Sequence, residues 1–161
     1  MKEEFKSALT NGLNAGYAGG KPESINRGSF SGKASHIELP EGVTYHDEWF
    51  ASSSGGGQEL VRVGDEIFTR LYAGGTTSEE VLSQLGITDK DVGSYLKRKI
   101  IELGEKTRLM ENCEPGADGD WQYKYLLTGN YPETNVTTSL ESITYRETPV
   151  HHHAFILCPV K

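Results

Sequence analysis

Three consecutive histidines near the carboxyl end of this sequence could bind a metal ion. His151, His152 and His153 lie in the segment VHHHAFILC, which is typical of a β-strand. Because successive side chains on a strand point to opposite faces, His151 and His153 share one face. This pair predicts a candidate metal site, which His46 or Asp47 would complete if its strand lies nearby. The alternative is that the histidines are only the polar start of a strand at the rim of a sheet.

Two acidic residues on the predicted strands are candidates for acid–base chemistry. Asp47 or Glu59 would serve as a general base if buried among the aromatic side chains of Tyr45, Trp49 and Tyr72. The alternative is a structural carboxylate that is hydrogen-bonded or solvated. Together, Asp47 and the histidine pair lead to one hypothesis, that the protein is a metal-dependent or acid–base enzyme. The sequence contains no nucleophile elbow, phosphate-binding loop or dinucleotide fingerprint.

Arginine and aromatic residues are frequent on the same predicted strands. A sheet lined with aromatic rings and a few arginines would suit a base and phosphates, since aromatic faces stack and guanidinium groups bind anions. The alternative is that most of these rings belong to the core and most of the arginines lie on the surface. The candidate ligand-binding residues are Tyr45, Trp49, Arg62, Arg70, Tyr72 and Arg146.

The segment of residues 79–103 has the apolar spacing and central glycine of a helix-turn-helix, with Asp89–Leu103 as the recognition helix. Lys97, Arg98 and Lys99 would then contact DNA. A second hypothesis is therefore a DNA-binding regulator. The alternative, which the acidic composition favours, is two ordinary helices that are joined by a glycine turn and pack on a sheet.

The elements that must position these residues are six predicted strands in two groups of three. Period-two alternation of β-branched and aromatic residues, interrupted by glycine, is typical of consecutive hairpins. The connection Ser52–Gly57 within the first group is expected to be flexible. The predicted strands are Val43–Ala51, Glu59–Val63, Glu66–Ala73, Trp121–Thr128, Thr138–Tyr145 and Val150–Cys158.

Helical periodicity occurs in two other places. The spacing of Phe5, Leu9 and Leu13 predicts a short amphipathic helix over Glu3–Leu13, and a loop with a brief strand follows it. We therefore predict an α+β fold, in which a curved antiparallel sheet of two three-stranded meanders carries a helical pair between them. Residues 1–161 are expected to form a single domain that consists of an N-terminal helix and loop (1–42), a first meander (43–75), a helical pair (77–104) and a second meander (119–159).

A set of glycine, tyrosine, acidic and apolar residues recurs along the predicted strands and the loops beside them. Its members are Tyr17-Ala18-Gly19-Gly20, Tyr45, Asp47, Gly57, Glu59, Val61, Gly64, Tyr72, Gly74, Gly119-Asp120, Tyr123, Gly129, Glu141 and Ile143. In these residues the chain resembles a bacterial and phage-encoded domain family of unknown function, whose members occur alone or fused to helix-turn-helix regulators. The resemblance supports the fold and implies no chemistry. The sequence departs from the family pattern in a more glycine-rich Ser52–Gly57 connection and in Pro159, where a glycine pair is expected.

Composition limits the possible partners. The net charge of −7 and the pI of about 5.2 argue against broad binding to nucleic acid or to an anionic membrane. No apolar run is long enough to cross a bilayer, and the N-terminus lacks the apolar region of a secretory signal. Cys113 and Cys158 lie far apart, without metal-binding spacing, which fits reduced thiols in a cytoplasm.

These observations lead to one principal hypothesis. We expect a small cytoplasmic, non-enzymatic and homo-oligomeric protein that binds an anionic or nucleotide-like molecule without a cofactor. A phage-type protein that sequesters a nucleotide signal would fit this size and character. The hypothesis also predicts that Arg70→Ala abolishes ligand binding and leaves the melting temperature nearly unchanged.

Overall fold

The computed structural model describes residues 2–160, and within them nine strands form one antiparallel sheet. The sheet is open, and its strand order is β1-β2-β3-β4-β5-β9-β8-β7-β6. Strands β5 and β9 therefore join the two halves of the chain at the centre of the sheet. The strands are β1 (Glu23–Arg27), β2 (Phe30–Leu39), β3 (Val43–Ala51), β4 (Ser54–Val63), β5 (Glu66–Thr76), β6 (Ala117–Asp118), β7 (Trp121–Tyr131), β8 (Val136–Tyr145) and β9 (Thr148–Val160).

Three α-helices accompany the sheet in the same residues: α1 (Glu3–Leu13), α2 (Glu79–Leu85) and α3 (Asp89–Leu103). Helix α3 begins with a capping box, in which Thr88 and Asp91 each bind the other's backbone N–H. Helix α2 ends at Gly86, whose φ of 72° lies in the left-handed region that glycine adopts without strain. These signals fix the two ends of the α2–α3 connection.

The helices pack on one face of the sheet, which we call the inner face. Side chains alternate along each strand, so that Tyr45, Asp47 and Trp49 of β3 are buried on the inner face while the residues between them are more exposed. The buried residues of α1 and α3 belong to the same core cluster as Tyr45 and Phe155 of β9. The predicted α+β class is thus confirmed, with helices against an antiparallel sheet.

The sheet is larger than the six strands that the sequence predicted. The predicted loop after α1 contains the β1–β2 hairpin, and β2 pairs along β3 from Lys33 to Leu39. Residues of β1 are mostly exposed, so this hairpin lacks the apolar alternation by which a strand is recognised. The arrangement is therefore five consecutive strands followed by four, and two three-stranded meanders are not confirmed.

The connection predicted to be flexible is also mostly strand. Strand β4 begins at Ser54, and its glycines lie against the neighbouring strands. A Cβ atom at Gly57 would lie 2.4 Å from the carbonyl oxygen of Glu48, and one at Gly56 would lie 2.5 Å from that of Tyr72. The glycines therefore allow close backbone approach rather than flexibility.

Two helical glycines provide a test of the packing. A Cβ at Gly12 of α1 would lie 2.1 Å from Cγ of Tyr45, whereas one at Gly93 of α3 meets no atom within 4 Å. We expect Gly12→Ala to destabilise the fold by roughly 1–3 kcal/mol through overpacking. The control Gly93→Ala should stabilise it by roughly 0.5–1 kcal/mol through helix propensity. Urea denaturation measures both, and equal effects of the two variants would contradict this packing of α1.

Candidate functional site

The inner face contains a buried ion pair between Arg70 of β5 and Glu59 of β4. Nη2 of Arg70 donates to Oε1 of Glu59 at 2.6 Å, and Nε of Arg70 donates to Oε2. The Tyr45 hydroxyl donates to Oε1 of Glu59 at 2.7 Å. Since the carboxylate and guanidinium are both about 1% exposed, each charge depends on the other for compensation.

A second cluster with the same chemistry lies in the other half of the sheet. Arg108 donates through Nε and Nη2 to Glu141 of β8, at 2.7 and 2.6 Å. The Tyr123 hydroxyl donates to Oε2 of Glu141 at 2.6 Å. Arg108 holds the pKa of the Glu141 carboxyl well below its usual range against the opposing effect of burial. The two clusters are linked, because Nη1 of Arg70 donates to the carbonyl oxygen of Arg108 at 2.5 Å.

Two histidines of β9 lie beside the second cluster. As the alternation predicted, His151 and His153 share the inner face, while His152 is exposed on the other face. Nε2 of His151 lies 3.2 Å from Nδ1 of His153, and both lie within 4 Å of Oε1 of Glu141. Burial lowers the pKa of His153, which keeps this imidazole neutral near pH 7.

A pocket of about 130 Å³ opens between the sheet and the helices. Its walls include the rings of Tyr17, Trp49 and Tyr72, and Tyr17 meets Trp49 edge-on at 5.9 Å between ring centroids. Asp47 lies on one side, and the two histidines lie on another. Residues Ser52 to Gly56 form part of the lining. The pocket therefore combines three aromatic rings with many polar and charged side chains.

Asp47 is a buried titratable residue of the pocket. It is 1% exposed and accepts a hydrogen bond from the Tyr72 hydroxyl at 2.9 Å. Burial, with a further contribution from the neighbouring Glu59 carboxylate, raises the pKa of Asp47 to about 8. The Asp47 carboxyl group is therefore protonated near neutral pH and can donate a hydrogen bond.

The structure brings together only part of the predicted ligand-binding set. Trp49 and Tyr72 line the pocket, and Tyr45 and Arg70 lie in the buried cluster beside it. Arg62 is exposed on β4 and lies on the outer face, since it is next to the inward-facing Val61. Arg146 is exposed in the turn after β8, where it pairs with Asp120 at 2.8 Å. Neither of these two arginines lines the pocket.

The structure also changes the melting temperature that we expect for Arg70→Ala. Because this side chain is buried and paired with Glu59, its removal would leave the Glu59 carboxylate without its partner. Loss of one member of a buried ion pair destabilises proteins by about 3–5 kcal/mol. The variant should therefore melt at a much lower temperature, and it cannot separate binding from folding.

The carboxylate near the histidine pair is that of Glu141, although the sequence suggested Asp47. His46, the other suggested ligand, lies on the outer face and contacts Glu48. The pairing of β8 with β9 places Glu141 directly opposite His153. The candidate site residues predicted from the sequence did not include Glu141 or Arg108. The signals for Glu141 were its period-two spacing with Ile143 and its place among the residues that carry the resemblance.

The predicted recognition helix packs on the sheet. Its apolar residues Val92, Leu96 and Ile100 are buried in the core. Two of its basic residues are paired with acids, since Arg98 and Lys99 lie 2.8 and 3.1 Å from Asp118. This arrangement agrees with a helical pair that serves the core, and binding to DNA stays a prediction.

No family model, curated protein or solved structure matches this chain, so the resemblance described above stays a prediction. None of the helices in residues 2–160 has both the length and the hydropathy that a membrane-spanning helix requires.

The pKa of Asp47 predicts an unusual dependence of stability on pH. From about pH 4 to pH 8 the unfolded chain loses this proton and the folded protein retains it, so the free energy of unfolding falls as the pH rises. Asp47→Asn keeps an acceptor for Tyr72 and removes the ionisation. We expect this variant to gain stability relative to the wild type between pH 5 and 8, by up to about 1.4 kcal/mol per pH unit.

Urea denaturation at several pH values tests this expectation. The control is Asp65→Asn in the exposed turn between β4 and β5, which should keep the pH profile of the wild type. Parallel profiles for the wild type and Asp47→Asn would show that Asp47 ionises normally in the folded protein.

Proposed function

We propose that this chain is a binding protein for a small, nucleotide-like molecule and that the inner-face pocket takes the ring of that molecule. The observation that supports this most directly is the combination of aromatic walls with a buried, protonated Asp47 in one pocket. Ligand sites are typically apolar and aromatic cavities with a few well-placed polar groups. The proposal keeps the non-enzymatic function and homo-oligomeric state expected from the sequence.

The size of the pocket favours a single ring in its interior. Its volume is about 130 Å³, and an apolar cavity of about 150 Å³ in another protein accepts benzene. Trp49, Tyr17 and Tyr72 provide faces and edges against which a flat ring can stack. The remainder of a nucleotide-like molecule would extend from the ring towards the pocket opening.

The polar groups of the pocket suit the edge of a nucleobase. A protonated carboxyl group donates one hydrogen bond through its hydroxyl and accepts others, so Asp47 can pair with a ring that offers both an acceptor and a donor. The neutral His153 adds further hydrogen-bonding capacity on another wall. Selectivity would then arise from the pattern of donors and acceptors on the ring.

An anionic group of the ligand would lie at the segment of residues 52–56. The guanidinium groups of Arg70 and Arg108 are both paired with carboxylates, so they do not provide free positive charge for a phosphate. Ser52, Ser53 and Ser54 line the pocket in this segment, and their hydroxyl groups are potential hydrogen-bond donors. We therefore expect the ring to contribute more to affinity than the phosphate.

An acid–base enzyme is the second candidate, for one reason. A carboxylic acid with a pKa of about 8 in a pocket is suited to donate or accept a proton near neutral pH. Turnover of a bound compound, detected by mass spectrometry of the recovered ligand, would favour this candidate over simple binding.

The binding proposal is tested by calorimetric titration with nucleobases, nucleosides and nucleotides. The variant Gly93→Leu adds a side chain at a position that lines the pocket and has open space for a Cβ atom. We expect one of these compounds to bind the wild type and to lose affinity at least tenfold in Gly93→Leu, with no loss of thermal stability. The control Arg62→Ala, on the outer face, should bind like the wild type.

Two results would contradict the proposal. One is the absence of binding to the wild type by every compound of the panel. The other is equal affinity of the wild type and Gly93→Leu, which would place the ligand outside this pocket.

A further inference from the structure

We propose that Glu141, His151 and His153 form a mononuclear zinc site in the wall of the pocket. The ligand atoms are Oε1 of Glu141, Nε2 of His151 and Nδ1 of His153, all within 4.8 Å of one another. Two imidazole nitrogens and one carboxylate oxygen are a donor set that zinc uses in sites with an open fourth position. Zinc binding by these three side chains does not require the ring-binding function proposed above, although a bound ion would occupy a nitrogen of His153 that could otherwise hydrogen-bond the ring.

The distances between the three atoms agree with a common zinc ligand sphere. The two nitrogens are 3.2 Å apart, and they lie 3.8 and 3.6 Å from the Glu141 oxygen. The nearest point equidistant from the three atoms lies in their plane, about 2.1 Å from each, which is within the range of Zn–N and Zn–O bonds. An ion could therefore bind with little movement of these side chains.

Glu141 has one acceptor position left for the ion. A carboxylate offers about four lone pairs. Two of them accept hydrogen bonds from Arg108, and a third accepts the hydrogen bond from Tyr123. The position that remains is on Oε1, the oxygen nearest to the histidine nitrogens. Hydrogen bonds from Arg108 and Tyr123 also fix the orientation of the carboxylate, as supporting groups do around metal ligands in proteins.

The two histidines also have nitrogen atoms available for the ion. His151 has its Nδ1 atom 3.5 Å from the Thr76 hydroxyl, which leaves Nε2 directed towards the ion. His151 and His153 both line the pocket, so a fourth ligand can reach the ion from that side. Since the charges of Glu141 and Arg108 cancel, the ion would add two positive charges to the pocket wall. With zinc bound, an anionic group of a ligand could bind at the ion instead of at residues 52–56, a consequence that rests on the proposed binding function.

A second pair of histidines must be distinguished from this site. His36 and His46 lie on neighbouring strands with ring centroids 5.5 Å apart, and they contact Glu38 and Glu48, respectively. His46 faces outwards from β3, so this pair is separated from the pocket by the sheet. Zinc added to the protein could bind there without involving Glu141.

The experiment is calorimetric titration of Zn²⁺ into protein that has been treated with a chelator and dialysed. We expect one Zn²⁺ per chain and a melting temperature that rises with zinc concentration, because the ion binds the folded state. His153→Ala should weaken binding at least about tenfold, since even residues that only support metal ligands change affinity by that much. His152→Ala removes a histidine from the opposite face of the same strand and should bind like the wild type. His46→Ala should also bind normally.

The titrations distinguish the proposed zinc site from the outer histidine pair and from the absence of a site. Absence of one-to-one binding to the wild type would overturn the proposal and leave the His151–His153 contact as a hydrogen bond between two rings. Binding that persists in His153→Ala and disappears in His46→Ala would assign the ion to the outer pair. Circular dichroism of each variant establishes folding, and the wild-type titration tests the site even if His153→Ala is unfolded. Nucleotide binding without zinc binding would overturn this inference alone.

Discussion

The ion pair between Arg70 and Glu59 is the interaction on which the interior of this protein depends. A guanidinium group that is 1% exposed must have its charge compensated and its N–H groups bonded, or it would cost several kcal/mol. Glu59 compensates the charge, and the carbonyl oxygen of Arg108 accepts from Nη1. Arg108 has a positive φ of 58°, and its side chain pairs with Glu141. One buried cation thus links both halves of the sheet.

The same ion pairs determine the chemistry of the pocket. Both buried arginines are neutralised by a glutamate, so Asp47 gains little compensation from them. Its nearest acidic neighbour is Glu59, opposite it in the register of β3 and β4, and that charge opposes a second ionisation. A neutral Asp47 follows from this arrangement. Under the proposed function, the pocket would therefore prefer hydrogen-bonding rings to ligands that depend on arginine, and Arg70 would have a structural role.

Sequence patterns predicted the strands and helices whose signals lie within a single short segment. Period-two alternation located β3 and β9 to within a few residues, and the spacing of Phe5, Leu9 and Leu13 located α1. Only a brief strand was predicted in the loop after α1, and the rest of the β1–β2 hairpin was not predicted because its exposed residues lack alternation. Arg108 lies between α3 and β6 with no periodicity at all. The partner of His153 depends on the β8–β9 register, which shifts between Ile143 and Thr144 and cannot be derived from either strand alone.

The two Tyr–Glu–Arg clusters have the same chemistry but different neighbours. These neighbours determine which polar groups line the pocket. The residue opposite Glu59 is Asp47, an acid that the adjacent carboxylate helps to keep protonated. The residue opposite Glu141 is His153, which burial keeps neutral with a free electron pair. The pocket therefore has a proton donor on one wall and nitrogen acceptors on another. Because both properties arise from sheet register around buried ion pairs, a change in either pair should alter the polar groups of the pocket as well as the stability of the fold.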